Sequence, residues 1–346
     1  MTRLQAKVAV ACMFFGLFDY KYIDDGTMAS DGKRRRPSRV NVQDEGDYPI
    51  PSLIHIFTSR RLFPLQCLLG YFAPRANQDH DQEVVIFRRI AAAPSYDWAS
   101  SPNIIPPIHV GDCAITETPA KLQLAFCHEI IGKKAFAGIT NQEEITLLTY
   151  PECIAAMLFC ANLEHDSLVV IGARMAVSCS FSSSGASYQD VRKIDDCPAR
   201  DSRLGQTLQR VIVFVDAAQP TAGRAQFIDN FDRDLAKLHT GLSTFAGSRK
   251  AISGGNWTYG GCSGHNMQVK FLQQLMASAA TDMTLIYHPW GAFEQDYGFF
   301  LEWINDRNIT VAALYQAYRT VINGCGRGAR FNELELLDCI IDELEN

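Results

Sequence analysis

The run Gln142-Glu143-Glu144, within "AGITNQEEITLLTYPECIAAML", places two adjacent carboxylates at the start of an apolar helix pattern. In one interpretation, Thr140 or Asn141 caps the helix and the acidic side chains meet the positive end of its dipole. In the other, one carboxyl donates a proton to a leaving oxygen while its neighbour holds the substrate. A helix N-terminus favours the ionised carboxylate, so a proton donor here needs desolvation or a nearby anionic ligand. This stretch alone leaves both interpretations open.

A second candidate site is the glycine-rich run "ISGGNWTYGGCSGHNMQVKFLQQL". Its glycines precede a clear helix pattern, and closely spaced glycine amides beside a helix N-terminus can hold an anion. The run has neither the Gly-Lys-Ser/Thr of a Walker loop nor the early position of a Rossmann fingerprint. A surface loop without function is the alternative, and the pattern does not decide between them.

Other chemistries have weaker support. Trp290 in "IYHPWG" follows a predicted strand, where open α/β sheets bind ligands, but a single aromatic residue near a strand end usually serves packing. The serine-rich "SCSFSSSG" lacks a G-x-S-x-G elbow, and the histidines show no metal-ligand spacing such as H-E-x-x-H. The residues therefore favour a hydrolase that uses carboxylates over a serine or zinc enzyme.

Composition limits the class of protein. The 346 residues are 47% hydrophobic and 20% charged, which is typical of a soluble globular protein. A net charge of −6 disfavours direct nucleic-acid binding. Eleven cysteines without a C-x-x-C pair indicate free thiols in a reducing compartment. The run "KVAVACMFFGLF" is too short to span a bilayer and no cleavage site follows it, so we expect a buried helix rather than a secretory signal.

From Val84 onward, short β-branched runs alternate with helix patterns. Strands are predicted at "EVVIFRRI", "KLQLAFC", "SLVVIGA", "QRVIVFVDA" and "DMTLIYHP". Helices are predicted around Glu144–Asn162, Ile228–His239, Met267–Ala280, Tyr297–Asn305 and Val311–Val321, with an amphipathic surface helix in "FNELELLDCIIDELEN". This alternation predicts an α/β fold whose largely parallel or mixed sheet is covered on both faces. Residues before about Phe72 look helical and loop-rich.

Taken together, these residues resemble the poly(ADP-ribose) glycohydrolase family. Its catalytic signature is G-G-G, six to eight residues, and then Q-E-E; here Gly132-Lys133-Lys134 is followed by seven residues and Gln142-Glu143-Glu144. "GGNWTYGGCSG" resembles the family's phosphate loop G-N-W-G-C-G-A-F-G-G, and "LIYHPWG" resembles its aromatic-bearing strand end. "YPEC" echoes the family's N-P-E-L. The similarity covers most of residues 2 to 322.

The resemblance implies a macrodomain, a three-layer mixed sheet with helices on both faces, preceded by an N-terminal helical accessory region. We expect the accessory region at residues 1–82, the catalytic domain at 83–322 and a C-terminal helical extension at 323–346. It also implies hydrolysis of the ribose–ribose O-glycosidic bonds of poly(ADP-ribose), which releases ADP-ribose. Glu144 would be the general acid and base, and Glu143 would hydrogen-bond the adjoining ribose. The resemblance implies no metal and no cofactor.

The resemblance also implies a set of substrate-binding residues. Asn256 and the amides between Gly260 and Gly264 would hold the diphosphate, Ile115 would lie against adenine, and Trp290 would take the family's aromatic position. The full set comprises Gln142, Gly132, Lys133, Lys134, His128, Ile115, Gly255, Asn256, Gly260, Gly261, Gly264 and Trp290.

The chain departs from the family pattern at three places. Lys133 and Lys134 replace two signature glycines, which lack a Cβ and so allow close approach to ribose and diphosphate, although two ammonium groups offer point charges to phosphate instead. The family's D-F-A-N is here Ala125-Phe126-Cys127-His128, and Ser184 stands where the family has a tyrosine. The alternative function is therefore a weakened or inactive macrodomain that binds ADP-ribose or its polymer. A non-binding scaffold on the same fold is a third interpretation.

The implied biology follows from the substrate. We expect poly(ADP-ribose) or ADP-ribosylated proteins as partners, a monomer, no membrane, and a role in reversing ADP-ribosylation in the DNA damage response. The basic run "KRRRPSR" beginning at Lys33 is either a solvated loop or a nuclear address, so nucleus and cytoplasm both remain open.

Overall fold

The strands and helices below belong to the part of the chain that the computed structural model describes. That part comprises residues 1–17, 63–73, 82–91, 96–111, 113, 115–118, 120–132, 135, 141–160, 162–181, 188–193, 210–220, 223–247, 251–257, 266–289, 293–326 and 335–346.

The described helices fall into an N-terminal pair, one short helix after the third strand, and a C-terminal set. They are α1 (Arg3–Phe14), α2 (Phe63–Phe72), α3 (Gln142–Thr149), α4 (Arg224–Ser243), α5 (Met267–Ala280), α6 (Phe293–Asn305), α7 (Val311–Gly324) and α8 (Leu336–Glu345). Three 3-10 helices span Trp98–Ser100, Ile115–Glu117 and Pro151–Leu158.

The strands form a mixed sheet and a separate hairpin. They are β1 (Ile86–Ile90), β2 (His109–Val110), β3 (Leu122–Cys127), β4 (Ser167–Ile171), β5 (Val177–Phe181), β6 (Tyr188–Lys193), β7 (Val211–Asp216), β8 (Ala251–Gly255) and β9 (Thr284–His288). The seven-stranded sheet has the order β1-β4-β7-β3-β8-β9-β2, and β5 pairs with β6. Strands β7, β3, β8, β9 and β2 pair in parallel, whereas β4 is antiparallel to β7 and to β1. The carboxyl ends of the five parallel strands therefore share one edge.

Alternate residues of the central strands face opposite helix layers. In β3, Leu124 and Phe126 pack into one apolar cluster with α4 to α8. Ala125 and Cys127 pack into a second cluster with α1, α2, α3 and the 3-10 helix Pro151–Leu158. Every residue of β3 and β7 is buried, as expected for strands covered on both faces. The predicted α/β class with helices on both faces is confirmed.

The five predicted strands are present as β1, β3, β4, β7 and β9. Strand β2 and the β5–β6 hairpin were not predicted from the sequence, and the residues of β8 were predicted to belong to a loop. The glycines in β8 are the reason for that error, because glycine is depleted in strands. Here they are needed for packing, since a Cβ on Gly255 would lie 2.6 Å from the carbonyl oxygen of His288 on β9.

The predicted helix over Glu144–Asn162 is broken into α3 and a 3-10 helix. Pro151 accounts for the break, because a proline disfavours the α conformation of the residue before it; Tyr150 has φ −120° and ψ 72°. The C-terminal helix is amphipathic as predicted, with Leu336, Leu337 and Ile340 buried. Among the described helices, none is long and apolar enough to cross a membrane.

A buried ion pair joins helix α1 to the 3-10 helix Pro151–Leu158. The Arg3 guanidinium donates to both Glu152 carboxylate oxygens at 2.7 and 2.8 Å, to Glu83 at 2.9 Å and to the Gly172 carbonyl at 2.5 Å. Burial raises the pKa of Glu152, and the Arg3 guanidinium opposes that shift. One face of the helix is buried through Ala6, Val10 and Met13, whereas Leu4 and Val8 are exposed. The division at residues 1–82, 83–322 and 323–346 stays a prediction.

Candidate active site

The residues that the sequence singles out lie at the edge where the parallel strands end. His128 follows β3, Asn256 and Trp257 follow β8, and β9 ends at His288. Because β3 and β8 are paired neighbours, with Leu122 opposite Ile252, their carboxyl ends meet at the same place. Open α/β sheets bind ligands at such an edge.

Gln142, the first residue of α3, joins that helix to β3. Its side-chain Nε2 donates to the Leu124 carbonyl at 2.9 Å, and its Oε1 accepts from the Phe126 amide at 2.6 Å. Asn141 occupies the N-cap position, as one interpretation expected, but its side chain makes no capping bond to the described amides of α3. Thr140 lies outside the described residues. Gln142 thus fixes the start of α3 beside the end of β3, and its contact with ligand stays a prediction.

Glu143 holds the backbone that follows β3, between His128 and Gly132. Its Oε2 accepts the His128 amide at 2.9 Å, and its Oε1 accepts the Gly132 amide at 2.6 Å. The side chain is 2% exposed. The carboxylate therefore has a fixed position and orientation, with acceptor capacity remaining on each oxygen.

Gly132, the first residue of the Gly-Lys-Lys run, is required by its backbone. It has φ +80°, in the left-handed region, and a Cβ there would lie 2.5 Å from Met157 Sδ. The glycine that the chain shares with the family signature is thus one that the local geometry needs. Lys133 and Lys134 lie outside the described residues.

Glu144 lies beside Glu143 in the first turn of α3 and is 1% exposed. One ligand atom from each of the Glu143 carboxylate, the Glu144 carboxylate and the His128 imidazole lies within 4.8 Å of the others. We call these three side chains the carboxylate–histidine cluster. Desolvation penalises the charged form of a carboxyl group, which is the condition that a proton donor at a helix start requires.

Cys127 lies next to this cluster in sequence and is fully buried. Burial raises the pKa of its thiol well above the usual value, and the charges of Glu143, Asp216 and Glu144 raise it further. The thiol is therefore protonated at neutral pH and is not a nucleophile.

The last residue of β8 and the residue after it are positioned by side chains from two other elements. The Gln274 side chain accepts from the Gly255 amide at 3.0 Å and donates to the Gly255 carbonyl at 2.8 Å. The Tyr287 hydroxyl donates to Asn256 Oδ1 at 2.9 Å. Ile115 lies against Gly255, since a Cβ on that glycine would come 3.2 Å from Ile115 Cδ1. Gly260, Gly261, Gly264 and Trp290 lie outside the described residues.

Trp257 is a contributor that the sequence reasoning left without a role. Its ring stacks on Phe126, with centroids 5.3 Å apart and planes 16° apart, and the Lys270 ammonium lies 4.3 Å from its centroid. Lys270 also pairs with Asp234. The indole is 1% exposed, so it anchors the start of the glycine-rich run in the core. Lys270 sits one turn into the predicted helix α5, a position from which a lysine can reach back to that run.

A charged network lies below the same edge. The Arg233 guanidinium lies 2.6 Å from the Asp216 carboxylate, at the end of β7, and 2.7 Å from the Asp234 carboxylate. Lys237 also pairs with Asp216. Arg233, Asp234 and Lys237 lie at positions i, i+1 and i+4 of α4. This spacing of charged residues is visible in the sequence, but no ion pairs were predicted from it. These pairs fix α4 and α5 against the strand ends.

Two comparisons with known proteins place this chain in a family. The family described as "Poly (ADP-ribose) glycohydrolase (PARG), Macro domain fold" matches residues 95–296, more than half of the chain. The chain is also similar to Poly(ADP-ribose) glycohydrolase 1 of Arabidopsis thaliana, with 26% identity over 203 residues, 56% of this chain and 35% of that protein. The match thus spans about a third of that relative's length. With its mixed sheet and two helix layers, the chain belongs to the poly(ADP-ribose) glycohydrolase family and has its macrodomain fold.

Proposed function

We propose that this protein hydrolyses the ribose–ribose O-glycosidic bonds of poly(ADP-ribose) and releases ADP-ribose. The observation that carries the proposal is the position of Glu144, buried beside a second carboxylate that backbone amides hold in place. Family membership supports the same reaction class. A buried pair of carboxyl groups supplies both the proton and the polar contact that glycoside cleavage needs.

In the proposed mechanism, Glu144 begins protonated and donates its proton to the oxygen that leaves. The bond between the anomeric carbon and that oxygen breaks with both electrons going to oxygen, which leaves an oxocarbenium-like ribose. Water adds to this carbon, and the Glu144 carboxylate accepts the proton that the water loses. The carboxyl group is thereby restored, and the net reaction adds one water across the bond.

Glu143 orients the substrate in this proposal. Its oxygens accept the His128 and Gly132 amides, so the carboxylate is already oriented when a ribose hydroxyl donates to it. A pre-oriented acceptor of this kind loses little conformational freedom on binding. Asn256 and the amides between Gly260 and Gly264 would hold the diphosphate, and Ile115 would lie against the adenine.

A second candidate function is binding of ADP-ribose or its polymer without cleavage. The observation that favours it is the chain's departure from the family signature at Lys133 and Lys134, and at His128 where the family has asparagine. His128 is 4% exposed and belongs to the carboxylate–histidine cluster, so this departure falls within the site itself. A nuclear or cytoplasmic location, a role in the DNA damage response and the monomeric state all stay predictions.

The test compares release and binding. Incubation with poly(ADP-ribose) is expected to release ADP-ribose, and Glu144→Gln is expected to lower the rate by about 10²- to 10⁴-fold, as for loss of a general acid–base group. Glu129→Gln is the matched control, because Glu129 is an exposed carboxylate beside the same strand end. It is expected to leave the rate unchanged. ADP-ribose binding by calorimetry without release would support the second function, and neither binding nor release would leave only the scaffold interpretation.

A further inference from the structure

The carboxylate–histidine cluster combines residues whose side chains are metal ligands. One ligand atom from each of His128, Glu143 and Glu144 lies within 4.8 Å of the others. The three residues are 4%, 2% and 1% exposed, so water competes little for them. One imidazole nitrogen and two carboxylate oxygens form a donor set that suits first-row divalent cations.

We propose that His128, Glu143 and Glu144 form a binding site for a divalent cation of the Mn²⁺ type. Imidazole favours transition metals and carboxylates favour harder cations, and Mn²⁺ accepts both kinds of ligand. Bonds of about 2.1 Å would bring the ligand atoms to about 3 to 3.5 Å from one another. The ligand atoms, which lie within 4.8 Å of one another, therefore need to approach by at most about 1 to 2 Å. Rotation of the His128 and Glu144 side chains provides this approach, while Glu143 keeps its position.

The backbone around the cluster is already held in place. The Glu143 carboxylate accepts the His128 amide at 2.9 Å, so the residue that supplies the imidazole is tied to a second ligand. Gln142 ties the start of α3 to β3 through two further hydrogen bonds. Because the ligands come from a strand end and a helix start, closure around a cation requires movement of side chains only. Outer contacts of this kind increase the affinity of metal sites.

A cation at this cluster would displace the proton that the proposed mechanism places on Glu144, because a carboxylate binds a metal in its deprotonated form. Glu143 and Glu144 would then both bind the cation as anions. The sequence does not reveal this set, because His128 and Glu143 are 15 positions apart and match no recognised metal-ligand spacing.

Cation binding would affect the reaction, and this expectation rests on the proposed function. A carboxylate bound to a metal is deprotonated, so Glu144 could not donate a proton while it binds the cation. Mn²⁺ is therefore expected to slow the release of ADP-ribose, and EDTA to restore it. The cation would act as an inhibitor of this site.

Binding itself is tested without substrate. The full chain, treated with EDTA and desalted, is titrated with Mn²⁺ while the electron paramagnetic resonance signal of free Mn²⁺ is recorded. We expect one Mn²⁺ per chain, and a loss of affinity of at least about tenfold in His128→Ala and in Glu144→Gln. His165→Ala removes an exposed histidine and is expected to bind as the unmodified protein does. Circular dichroism establishes that each variant is folded, and Glu144→Gln keeps the side-chain shape if His128→Ala does not fold.

Two results would overturn the inference. One is an unmodified protein that leaves the free Mn²⁺ signal unchanged, and the other is equal affinity in His128→Ala, Glu144→Gln and the unmodified protein. Its failure is distinct from failure of the proposed function. Release of ADP-ribose without Mn²⁺ binding refutes only the cation site, whereas Mn²⁺ binding that depends on His128, in a protein that releases no ADP-ribose, refutes only the hydrolase.

Discussion

Gly132→Ala tests whether the backbone conformation at Gly132 requires a glycine. The residue has φ +80°, and an added Cβ would lie 2.5 Å from Met157 Sδ and 2.8 Å from its Cγ. Its amide also donates to Glu143 at 2.6 Å. The substitution therefore combines backbone strain with a steric clash, next to the carboxylate that Gly132 helps to hold.

The expected loss of stability is about 2 to 5 kcal/mol. A residue with a Cβ in the left-handed region costs about 1–2 kcal/mol, and overpacking against a neighbouring side chain adds about 1–3 kcal/mol. Gly247→Ala separates the two contributions, since Gly247 has φ +71° and a Cβ there would meet nothing within 4 Å. That variant is expected to lose about 1–2 kcal/mol only.

The free energy of unfolding is measured by urea titration for both alanine variants and the unmodified protein. Each titration is repeated in a Met157→Ala background, where the clash is gone and Gly132→Ala should cost only its backbone strain. The difference between the two backgrounds is the coupling energy between Gly132 and Met157, expected at about 1–3 kcal/mol. Gly247→Ala should cost the same in both backgrounds. Equal costs for Gly132→Ala in both backgrounds would refute the steric argument.

Two further substitutions test one buried contact of the fold and one contact of the candidate site. Arg3→Met removes one partner of the buried Arg3–Glu152 pair and is expected to lower the free energy of unfolding in urea by about 3–5 kcal/mol. Arg307→Met is the control at a pair that is about half exposed, and it should lower this free energy by less than about 1 kcal/mol. Similar losses in the two variants would contradict the role given to Arg3. Lys270→Met removes the ammonium above Trp257 and should weaken ADP-ribose binding measured by calorimetry, with a shift in tryptophan fluorescence, because the start of the glycine-rich run loses its anchor. Unchanged affinity would show that this cation does not position the run.

Local sequence pattern predicted much of the sheet. The runs that became β3 and β7 are continuous and apolar because helices cover both of their faces, and such runs are readable without knowledge of the fold. Helix α5 was predicted at Met267–Ala280, where the structure has it. The strand β8 was missed because Gly254 and Gly255 do not favour a strand by themselves. Only the close approach of β9 shows why they are there.

For the candidate site, the sequence by itself determined which groups are available. The order of Gly132, Gln142, Glu143, Glu144 and Asn256 along the chain carried the family resemblance, and a helix start after a strand is a local feature. Tertiary structure decided what those groups contact. Gln142 bonds to β3, Glu143 holds the amides of His128 and Gly132, and Glu144 is buried.

The carboxylate–histidine cluster and the Trp257 stack depend on tertiary structure for the same reason. Each joins side chains from different elements, and the distance between such side chains depends on how strands pair and helices pack. Periodicity reports which face of an element is apolar, because that is a property of neighbouring residues along the chain. It does not report that Lys270 lies over Trp257 or that His128 meets two glutamates. Those contacts exist only once the sheet has brought its strand ends to one edge.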